Sequence, residues 1–466
     1  MHKKSIADLA LIFCWAVLIF FFVSIITRFL TRQILVEKLH WDNAFTRIVF
    51  AGNQVLNVVA GDEEGEISVD IDWAKKYPFR DPAKNNESAY LSKFNCFENL
   101  VFNVEDKIKE YATDLLIGQY GMTVAAKSYN NLIGSPMMQT RSADRIIYLQ
   151  NGYLTYEEEL ISKDDIAEIA DSVQDFSTYL DSHGIGFVYM NTGSKVCPYD
   201  KQLPAGAIEY SNENGDNLIC ALKDRNINTL DFRDYMIQDG LDWYQSYYIT
   251  DHHWKTTTGL WAAGVMAQYL NDNFGFDFDR KFFDEVQYDI ETYSDYFLGG
   301  QGRDVTLSNC SLEAYDKIMP KFDTSFSLKI PSRGIDMQGS YQDVLFCNEE
   351  FEEIAGYSAK DFAEKKDAYN MIRLDNYDYT EIKNLSPENN RDKKILLIYD
   401  SFSWYSASYL ATDVSEIVTL NLSRFNGSVR TLVEEMKPDV VIMSYCERGI
   451  IPIDNWDTHT EMFDLQ

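Results

Sequence analysis

Histidine is scarce in this sequence, and its cysteines are widely spaced. The 466 residues include six histidines and seven cysteines, and no Cys-x-x-Cys pair or Cys/His cluster of the zinc-binding kind occurs. A structural zinc site is therefore not expected, and any site that needs an imidazole has few candidates. The six cysteines beyond the apolar N-terminal segment are an even number that suits disulfides in an oxidising compartment, but their pairing stays open.

Basic residues are also few. The chain has 42 Lys and Arg against 73 Asp and Glu, a net charge of −31, and no basic stripe offsets this acidity. Such a field repels phosphate backbones, so nucleic acid is not expected as a partner. A neutral or cationic substrate is easier to accommodate than a strongly anionic polymer, which would need a locally basic groove. The acidity can equally serve solubility alone.

An apolar segment lies near the N-terminus. Residues 6–27 read IADLALIFCWAVLIFFFVSIIT and carry a single charge, Asp8. A helix of this length, at 1.5 Å per residue, spans the roughly 30 Å hydrocarbon layer. A cleavable signal peptide has a shorter apolar core, so residues 1–32 are predicted to form a cytoplasmic tail and an uncleaved transmembrane signal anchor. The lysines before the segment are matched by arginines after it, so these charges do not decide the orientation. A buried helix of a soluble protein is the alternative.

Composition divides the rest of the chain into two regions. Residues 33–94 include a polar stretch broken by Pro78 and Pro82, which indicates a linker or stalk. Residues 95–466 are predicted to form the main domain. This domain opens with a helix over residues 95–130, because apolar side chains repeat there at three- and four-residue steps.

The pattern within the domain changes after about residue 143. Strand patterns at GFVYMN (186–191), KKILLIYD (393–400) and PDVVIMSY (438–445) alternate with helical stripes, such as the one that ends at Gly184. Strands alternating with helices predict an α/β fold with a doubly wound, mostly parallel sheet and flanking helices. Residues 300–390 break this rhythm and are predicted to form an inserted cap.

Ser401 directly follows one of these strands, after the apolar run ILLIY and Asp400. Ligands of an open α/β sheet bind beyond the carboxyl ends of its strands. A serine at this point would present its hydroxyl beside the backbone N–H groups of a helix start, which can stabilise an oxyanion. Capping of the following helix is the simpler role for such a serine.

The string DHHW at residues 251–254 supplies the partners that a nucleophilic serine needs. A serine hydroxyl becomes reactive when an imidazole accepts its proton and a carboxylate fixes that imidazole. Asp251 and His253 point to the same face of an extended chain, whereas His252 points to the opposite face. A metal site built on Asp251, His252 and His253 is the alternative, but no distant His/Cys cluster completes it.

The two segments together resemble a known family. DHHW, followed by threonines, Gly259 and a helical pattern, is similar to the signature of the DHHW proteins. These resemble the acetyltransferase-like proteins of alginate O-acetylation, which are relatives of the SGNH hydrolases. In that group a D-x-H-W motif supplies Asp and His, and a later strand-end serine is the nucleophile. The matching residues are Asp251, His253 and Ser401, in the permuted order that is typical of the group.

Weaker matches suggest further site residues. FVYMNTGSKVCPYDKQLP (187–204), YFLGGQGRDV (296–305) and YCERGI (445–450) are similar to family segments, but the oxyanion Gly and Asn of SGNH hydrolases have no secure match. Candidate donors are Asn191, at a strand end, and Gly299, Gly300 or Gly302 of the Gly-rich segment, of which Gly300 is taken as the site residue. Arg303 is a candidate for binding an acyl or carboxylate oxygen, and Trp254 for walling the site. A turn residue and a structural salt bridge are the ordinary alternatives for Asn191 and Arg303.

The resemblance implies an SGNH hydrolase-like domain that needs no cofactor or metal. Its expected activity is serine-dependent transfer of an acyl group, foremost acetyl, to or from a hydroxyl of a cell-surface or exported polysaccharide. The domain would lie outside the cytoplasm on its N-terminal anchor, and a polytopic membrane O-acyltransferase is the expected acyl supplier. A transferase and an esterase use the same triad, so the sequence does not distinguish the two activities. The alternative is a non-catalytic cell-envelope binding or assembly protein that keeps the fold.

Overall fold

The computed structural model describes residues 137–139, 145–204, 207–307, 309–375, 377–387, 392–450 and 465. All of them belong to one compact unit, residues 135–466. The predicted anchor, stalk and opening helix lie outside the described residues. Among the helices that are described, none has the length and apolar character needed to cross a membrane.

Short strands and helices alternate along most of the described chain. The strands are β1 Met137–Gln139, β2 Arg145–Tyr148, β3 Leu154–Tyr156, β4 Gly186–Asn191, β5 Thr229–Asp231, β6 Tyr288–Phe297, β7 Glu313–Pro320, β8 Phe326–Ile330, β9 Ile335–Gly339, β10 Tyr379–Asn384, β11 Lys394–Tyr399, β12 Glu416–Leu420 and β13 Val440–Tyr445. The α-helices are α1 Lys163–Ser182, α2 Ser211–Asp224, α3 Phe232–Gln238, α4 Thr256–Phe274, α5 Gly300–Val305, α6 Tyr341–Val344, α7 Asn348–Glu353, α8 Ala359–Glu364, α9 Trp404–Leu410 and α10 Val429–Met436.

The central sheet has eight strands in the order β5-β4-β13-β11-β12-β10-β8-β9. The strands from β5 to β12 in this order are parallel, as the sequence predicts. The strands β10, β8 and β9 continue the sheet in antiparallel pairing, so the sheet is mixed. The prediction of a cap over residues 300–390 is wrong for these strands, because β10 pairs with the open backbone edge of β12. The β6–β7 hairpin stays outside this sheet.

Helices cover both faces of the parallel strands. Along β11, Ile395 and Leu397 face a core with α4 and α9, while Leu396 and Ile398 face a second core with α1, α2 and α10. Successive side chains of a strand point to opposite faces, so a strand buried on both sides needs an unbroken apolar run. The predicted doubly wound arrangement is confirmed.

The helix ends follow local chemistry. The Ser162 side chain accepts a hydrogen bond from the Asp165 N–H and begins α1. Gly184, just after the end of α1, has φ of +70°, a conformation that glycine adopts without strain. The predicted end of this helix at Gly184 is confirmed.

One close helix contact brings the two motif segments together. Helix α4 follows the DHHW string and α9 follows Ser401. A Cβ added at Gly259 of α4 would lie only 2.8 Å from the Tyr405 Cβ of α9. Only glycine therefore lets the two helix backbones approach this closely.

Candidate active site

An unbroken line of hydrogen bonds joins the three residues that the sequence singles out. His253 Nε2 lies 2.6 Å from Ser401 Oγ, and His253 Nδ1 lies 2.5 Å from Asp251 Oδ1. With the proton on Nδ1, the ring donates a hydrogen bond to the Asp251 carboxylate, and Nε2 accepts one from the Ser401 hydroxyl. Folding thus brings Asp251, His253 and Ser401 together in the arrangement that nucleophilic catalysis by serine requires.

The DHHW string forms a turn, which corrects the expectation of an extended chain. Asp251 Oδ1 accepts a hydrogen bond from the His253 backbone N–H at 3.0 Å as well as from its ring. Such a side-chain-to-backbone bond two residues on is a frequent way for Asp to shape a turn. As a result His252 does not point away: its ring centroid lies 3.9 Å from that of His253. Its Nδ1 is 3.3 Å from Asp251 Oδ1 but makes no hydrogen bond.

The glycine-rich segment holds the carboxylate of Asp251. The Gly300 N–H donates to Asp251 Oδ2 at 2.6 Å. A Cβ at Gly299 would overlap the Asp251 side chain, so only glycine fits there. The expectation that Gly300 donates to an oxyanion is therefore wrong in this structure, because its N–H already serves Asp251.

These contacts keep Asp251 ionised. Burial acts to raise the pKa of Asp251, but the nearby His253 and His252 rings and the hydrogen bonds from His253 outweigh it. The net effect holds the pKa of this carboxyl well below its usual range. Asp251 is therefore an anion at any physiological pH and can stabilise a positively charged His253 ring.

Two titratable residues, the buried Lys195 and the half-buried Glu313, fix the backbone of the DHHW loop. Lys195 Nζ donates to the carbonyl oxygens of Tyr248, Ile249 and Asp251 at 3.0, 3.2 and 2.5 Å. From β7, Glu313 accepts hydrogen bonds from the N–H groups of Ile249 and Thr250, both at 2.8 Å. Burial lowers the pKa of Lys195 to about 7, an effect that Asp251 and Glu313 oppose.

Replacing Lys195 with methionine should lower kcat for ester hydrolysis by about 10- to 100-fold, because a shift of about 1 Å in a reacting group can cost that much. The change in KM should be smaller, since Lys195 does not reach Ser401. Steady-state kinetics on the full-length protein measures both values, with exposed Lys201→Met as the matched control. A wild-type kcat in a folded Lys195→Met protein would show that the loop keeps its shape without this cation.

The residues around Ser401 leave its hydroxyl free to react. Asp400, not Ser401, caps the short 3-10 turn Ser401–Ser403, since Asp400 Oδ1 accepts from the Phe402 N–H at 3.1 Å. The other oxygen of Asp400 accepts from the Cys446 N–H at 2.6 Å. Ser401 is half-buried, whereas its neighbour Phe402 is fully buried. The capping role that a strand-end serine ordinarily fills thus belongs to Asp400.

Aromatic rings enclose His253. Tyr369 stacks on its ring at 4.3 Å and 18°, and its hydroxyl donates to the Ser401 carbonyl at 3.1 Å. The rings of Phe402 and Trp404 lie 5.0 and 6.2 Å from that of His253. These rings fix the plane of the imidazole and shield its hydrogen bonds from water, which strengthens them.

The other predicted site residues lie nearby but serve the framework. Asn191 donates its amide hydrogens to Asp231 Oδ1 and Glu447 Oε1, at 3.3 and 3.2 Å. Arg303 pairs with Asp367 at 2.5 Å. Both amide hydrogens of Asn191 are thus committed, and its oxyanion role is corrected to a structural one. The substrate role of Arg303 stays a prediction.

Trp254 is entirely buried and does not face a substrate. Its Nε1 donates to the Phe402 carbonyl at 2.7 Å, and its ring packs edge-on against Phe402 and Phe232. The prediction that Trp254 lines the substrate site is therefore wrong in this structure. Trp254 instead connects the DHHW loop to the turn after Ser401 through its hydrogen bond to Phe402.

Glu447, after β13, is a buried carboxyl beside this framework. Burial raises the pKa of Glu447 to about 8 from an ordinary value of 4.5, although Arg233 and the Asn191 amide oppose the rise. The folded protein thus keeps this proton over a range in which the unfolded chain has lost it. The contribution of Glu447 to stability is therefore expected to fall as pH rises from about 4.5 to about 8, and to stay constant above that.

Replacing Glu447 with glutamine should remove this contribution. Between pH 5 and pH 8 the Tm of the wild type is expected to fall by at least about 2 °C more than that of Glu447→Gln. Thermal unfolding followed by circular dichroism at several pH values measures the difference, with exposed Glu350→Gln as the control. Parallel curves for wild type and Glu447→Gln would contradict a protonated Glu447.

The side chains of Asp251, His252 and His253 lie close enough to hold a cation. However, His253 uses one nitrogen for Asp251 and the other for Ser401, and both carboxylate oxygens of Asp251 accept hydrogen bonds. This donor set therefore fits a proton relay better than a metal centre.

Sequence reasoning missed Glu313 and Tyr369 as parts of the site. Both belong to the segment taken for a cap, and Glu313 is 63 residues from its partner Thr250. No local motif marks a residue that acts only through such a distant contact.

Comparison with known proteins agrees with this architecture. Residues 146–288 match the family model for the SGNH hydrolase-like domain of the acetyltransferase AlgX. A search of curated proteins gave no match. Among solved structures, Bacillus cereus PatB1 with a sulfonyl adduct is similar, with a TM-score of 0.55, 17% identity, and coverage of 69% of this chain and 98% of that chain.

A DHHW family protein from Eubacterium siraeum is also similar, with a TM-score of 0.50, 14% identity, and coverage of 70% of this chain and 96% of that one. At such identities the likeness shows the fold alone. The resemblance to DHHW and SGNH hydrolase-like proteins that the sequence suggests is confirmed, and the fold is SGNH hydrolase-like.

Proposed function

We propose that this protein is a serine-dependent O-acyltransferase, foremost an O-acetyltransferase, that acts outside the cytoplasm on a cell-surface or exported polysaccharide. The observation that carries the proposal is the continuous hydrogen-bond line from Asp251 through His253 to Ser401. Ser401 stands at the carboxyl edge of the parallel strands, where open α/β sheets bind their ligands. The match of residues 146–288 to an acetyltransferase domain supports acetyl as the transferred group.

The proposed reaction has two half-reactions. In the first, Ser401 Oγ attacks the carbonyl carbon of the acyl donor while His253 Nε2 takes the hydroxyl proton. The donor's leaving group departs with that proton, and the acyl group stays as an ester on Ser401. In the second, His253 takes a proton from an acceptor hydroxyl, whose oxygen attacks the ester carbonyl. The bond between the acyl carbon and Ser401 Oγ then breaks, and His253 gives its proton to Oγ, which restores the serine hydroxyl. Asp251 stabilises the charged His253 ring during both steps.

The identity of the acceptor decides between transfer and hydrolysis. Water as acceptor gives an esterase, and a sugar hydroxyl gives a transferase. We place the domain on an N-terminal membrane anchor because residues 6–27 have the length and composition of a transmembrane helix. Acetyl donors are made inside the cell, so a polytopic membrane O-acyltransferase would supply the acyl group.

The test is a search for the acyl-enzyme on the full-length protein. Incubation with p-nitrophenyl acetate should release nitrophenol and leave one acetyl group on Ser401, which intact-mass and peptide mass spectrometry would locate. A sulfonyl fluoride should block the same residue; PatB1, which carries a sulfonyl adduct in its structure, makes this reagent a natural choice. Absence of both adducts on Ser401 would favour the non-catalytic envelope-binding protein.

A further inference from the structure

One side chain from outside the two motif segments contacts both Ser401 and His253. Tyr369 lies in the 3-10 turn Ala368–Met371 and is buried. Its ring stacks on the His253 imidazole at 4.3 Å, with an angle of 18° between the two planes. Its hydroxyl donates to the Ser401 carbonyl oxygen at 3.1 Å. Tyr369 thus joins the proposed base to the backbone of the proposed nucleophile.

The turn that carries Tyr369 is held from the side of the nucleophile. The Tyr405 hydroxyl donates to the Tyr369 carbonyl at 3.2 Å and lies 3.4 Å from the Ala368 carbonyl oxygen. Tyr405 belongs to α9, the helix that follows Ser401 along the chain. The position of Tyr369 is therefore set by the same helix that begins just after the nucleophile.

The turn is also held from the side of the carboxylate. Asp367 begins the turn, because its Oδ1 accepts from the Asn370 N–H at 3.2 Å. Its Oδ2 accepts from Arg303 of α5 at 2.5 Å. Helix α5 begins at Gly300, whose N–H binds the Asp251 carboxylate. A chain of contacts therefore runs from Asp251 to the turn without passing through the imidazole.

The imidazole needs a support of this kind. The bond to Asp251 fixes the direction of His253 Nδ1 but leaves the ring free to rotate about that bond. Such a rotation would move Nε2 out of line with Ser401 Oγ, and a stacked ring opposes it. Once Ser401 is acylated, its hydroxyl no longer meets Nε2, so Asp251 and Tyr369 must hold the ring for the acceptor.

We propose that Tyr369 is a positioning residue that fixes the base and the nucleophile relative to each other. The inference rests on the proposed function, because it gives Tyr369 a part in the chemistry of Ser401 and His253. The Ser401 carbonyl also accepts from the Trp404 N–H of its own turn. Loss of the Tyr369 hydroxyl should therefore leave that turn folded while its carbonyl becomes freer to shift.

Steady-state hydrolysis of p-nitrophenyl acetate by the full-length protein tests the inference. Tyr369→Leu should lower kcat about 10- to 100-fold, because a misplacement of about 1 Å costs a factor of this order. KM should change less than about threefold, because both half-reactions use the same imidazole. Tyr369→Phe keeps the ring and loses one hydrogen bond, so its kcat should fall about three- to tenfold.

Tyr341→Phe is the matched control. Tyr341 is also buried, its hydroxyl lies 2.7 Å from Ser408 Oγ, and its ring stacks on that of Tyr409. It should retain the wild-type kcat. A wild-type kcat in folded Tyr369→Leu, or an equal loss in Tyr341→Phe and Tyr369→Phe, would overturn the inference. If circular dichroism shows Tyr369→Leu unfolded, Tyr369→Phe decides, and a wild-type kcat there would overturn it.

Nuclear magnetic resonance of the protein labelled with ¹⁵N-histidine tests the positioning without turnover. The proton of a short, charge-assisted hydrogen bond between an imidazole and a carboxylate resonates far downfield, and its loss in His253→Ala assigns it. Tyr369→Leu should shift or broaden this signal, whereas Tyr369→Phe and Tyr341→Phe should retain it. An unchanged signal in folded Tyr369→Leu would contradict the support of the ring by Tyr369.

The two proposals fail in different ways. If wild-type Ser401 takes no acetyl group from p-nitrophenyl acetate, the acyltransferase is refuted, and the downfield signal alone decides whether Tyr369 holds the imidazole. If Ser401 is acetylated in Tyr369→Leu as fast as in the wild type, only the inference about Tyr369 is refuted.

Discussion

Replacement of Ser401 with alanine is expected to lower kcat/KM for p-nitrophenyl acetate hydrolysis at least about 10³-fold. The reason is that Oγ is the atom that His253 contacts at 2.6 Å and the only nucleophile on the hydrogen-bond line. The side chain is small and its neighbour Asp400 makes the local cap, so the fold should not change. Initial rates on the purified full-length protein, with background hydrolysis subtracted, measure the loss.

Ser403→Ala is the matched control for this experiment. Ser403 is buried two residues away, and its hydroxyl donates to Ser444 Oγ at 2.8 Å without reaching His253. Its loss should cost about 1 kcal/mol of stability and little activity. Equal rates for wild type and Ser401→Ala would remove Ser401 from the mechanism and leave the hydrogen-bond line without a chemical role.

The second large effect distinguishes two adjacent histidines. His253→Ala should lower kcat at least about 10³-fold, because among the described residues His253 is the side chain that hydrogen-bonds to Ser401 Oγ and can accept its proton. His252→Ala should cost less than about tenfold in the same assay. Although His252 is also near Asp251, its Nδ1 makes no hydrogen bond, and the Ser401 hydroxyl is hydrogen-bonded to His253.

Thermal unfolding of both histidine variants provides the control for misfolding. The two rings are only 3.9 Å apart, so a general disturbance of the loop would affect both variants alike. A larger loss in His252→Ala than in His253→Ala would reverse the assigned roles. Comparable losses in both, with folded proteins, would favour a site that uses the two rings together.

Much of the parallel half of the fold could be predicted from local patterns. GFVYMN, KKILLIYD and PDVVIMSY each contain an apolar run because each strand is buried on both faces, and each appears as a strand in the structure. The antiparallel strands β8, β9 and β10 were missed. These strands have five or six residues each, and their place in the sheet depends on the edge that β12 leaves open.

The three central residues could be named from chemistry and spacing, but the supporting residues could not. Asp, His and a strand-end Ser are the residue types that a proton relay needs. Gly300 and Asn191 were predicted as oxyanion donors, but Gly300 donates to Asp251 and Asn191 donates to Glu447. The sequence shows that a residue can donate a hydrogen bond, but it does not show which acceptor lies within reach. The extended conformation predicted for Asp251–His253 was wrong, since a side-chain hydrogen bond to the His253 N–H bends the chain.

By itself, the sequence determined the strands and helices of the parallel half of the sheet and named the residues that can carry acyl transfer, because burial patterns and side-chain chemistry are local properties. The membrane anchor and the domain limits are also read from it and stay predictions. Only the tertiary structure showed which groups are in contact. His253 Nε2 contacts Ser401, Lys195 binds carbonyl oxygens of the DHHW loop, and the Gly300 N–H donates to Asp251. These contacts depend on distances of a few ångströms between residues that can be more than a hundred positions apart in the sequence. A local sequence pattern does not specify such distances.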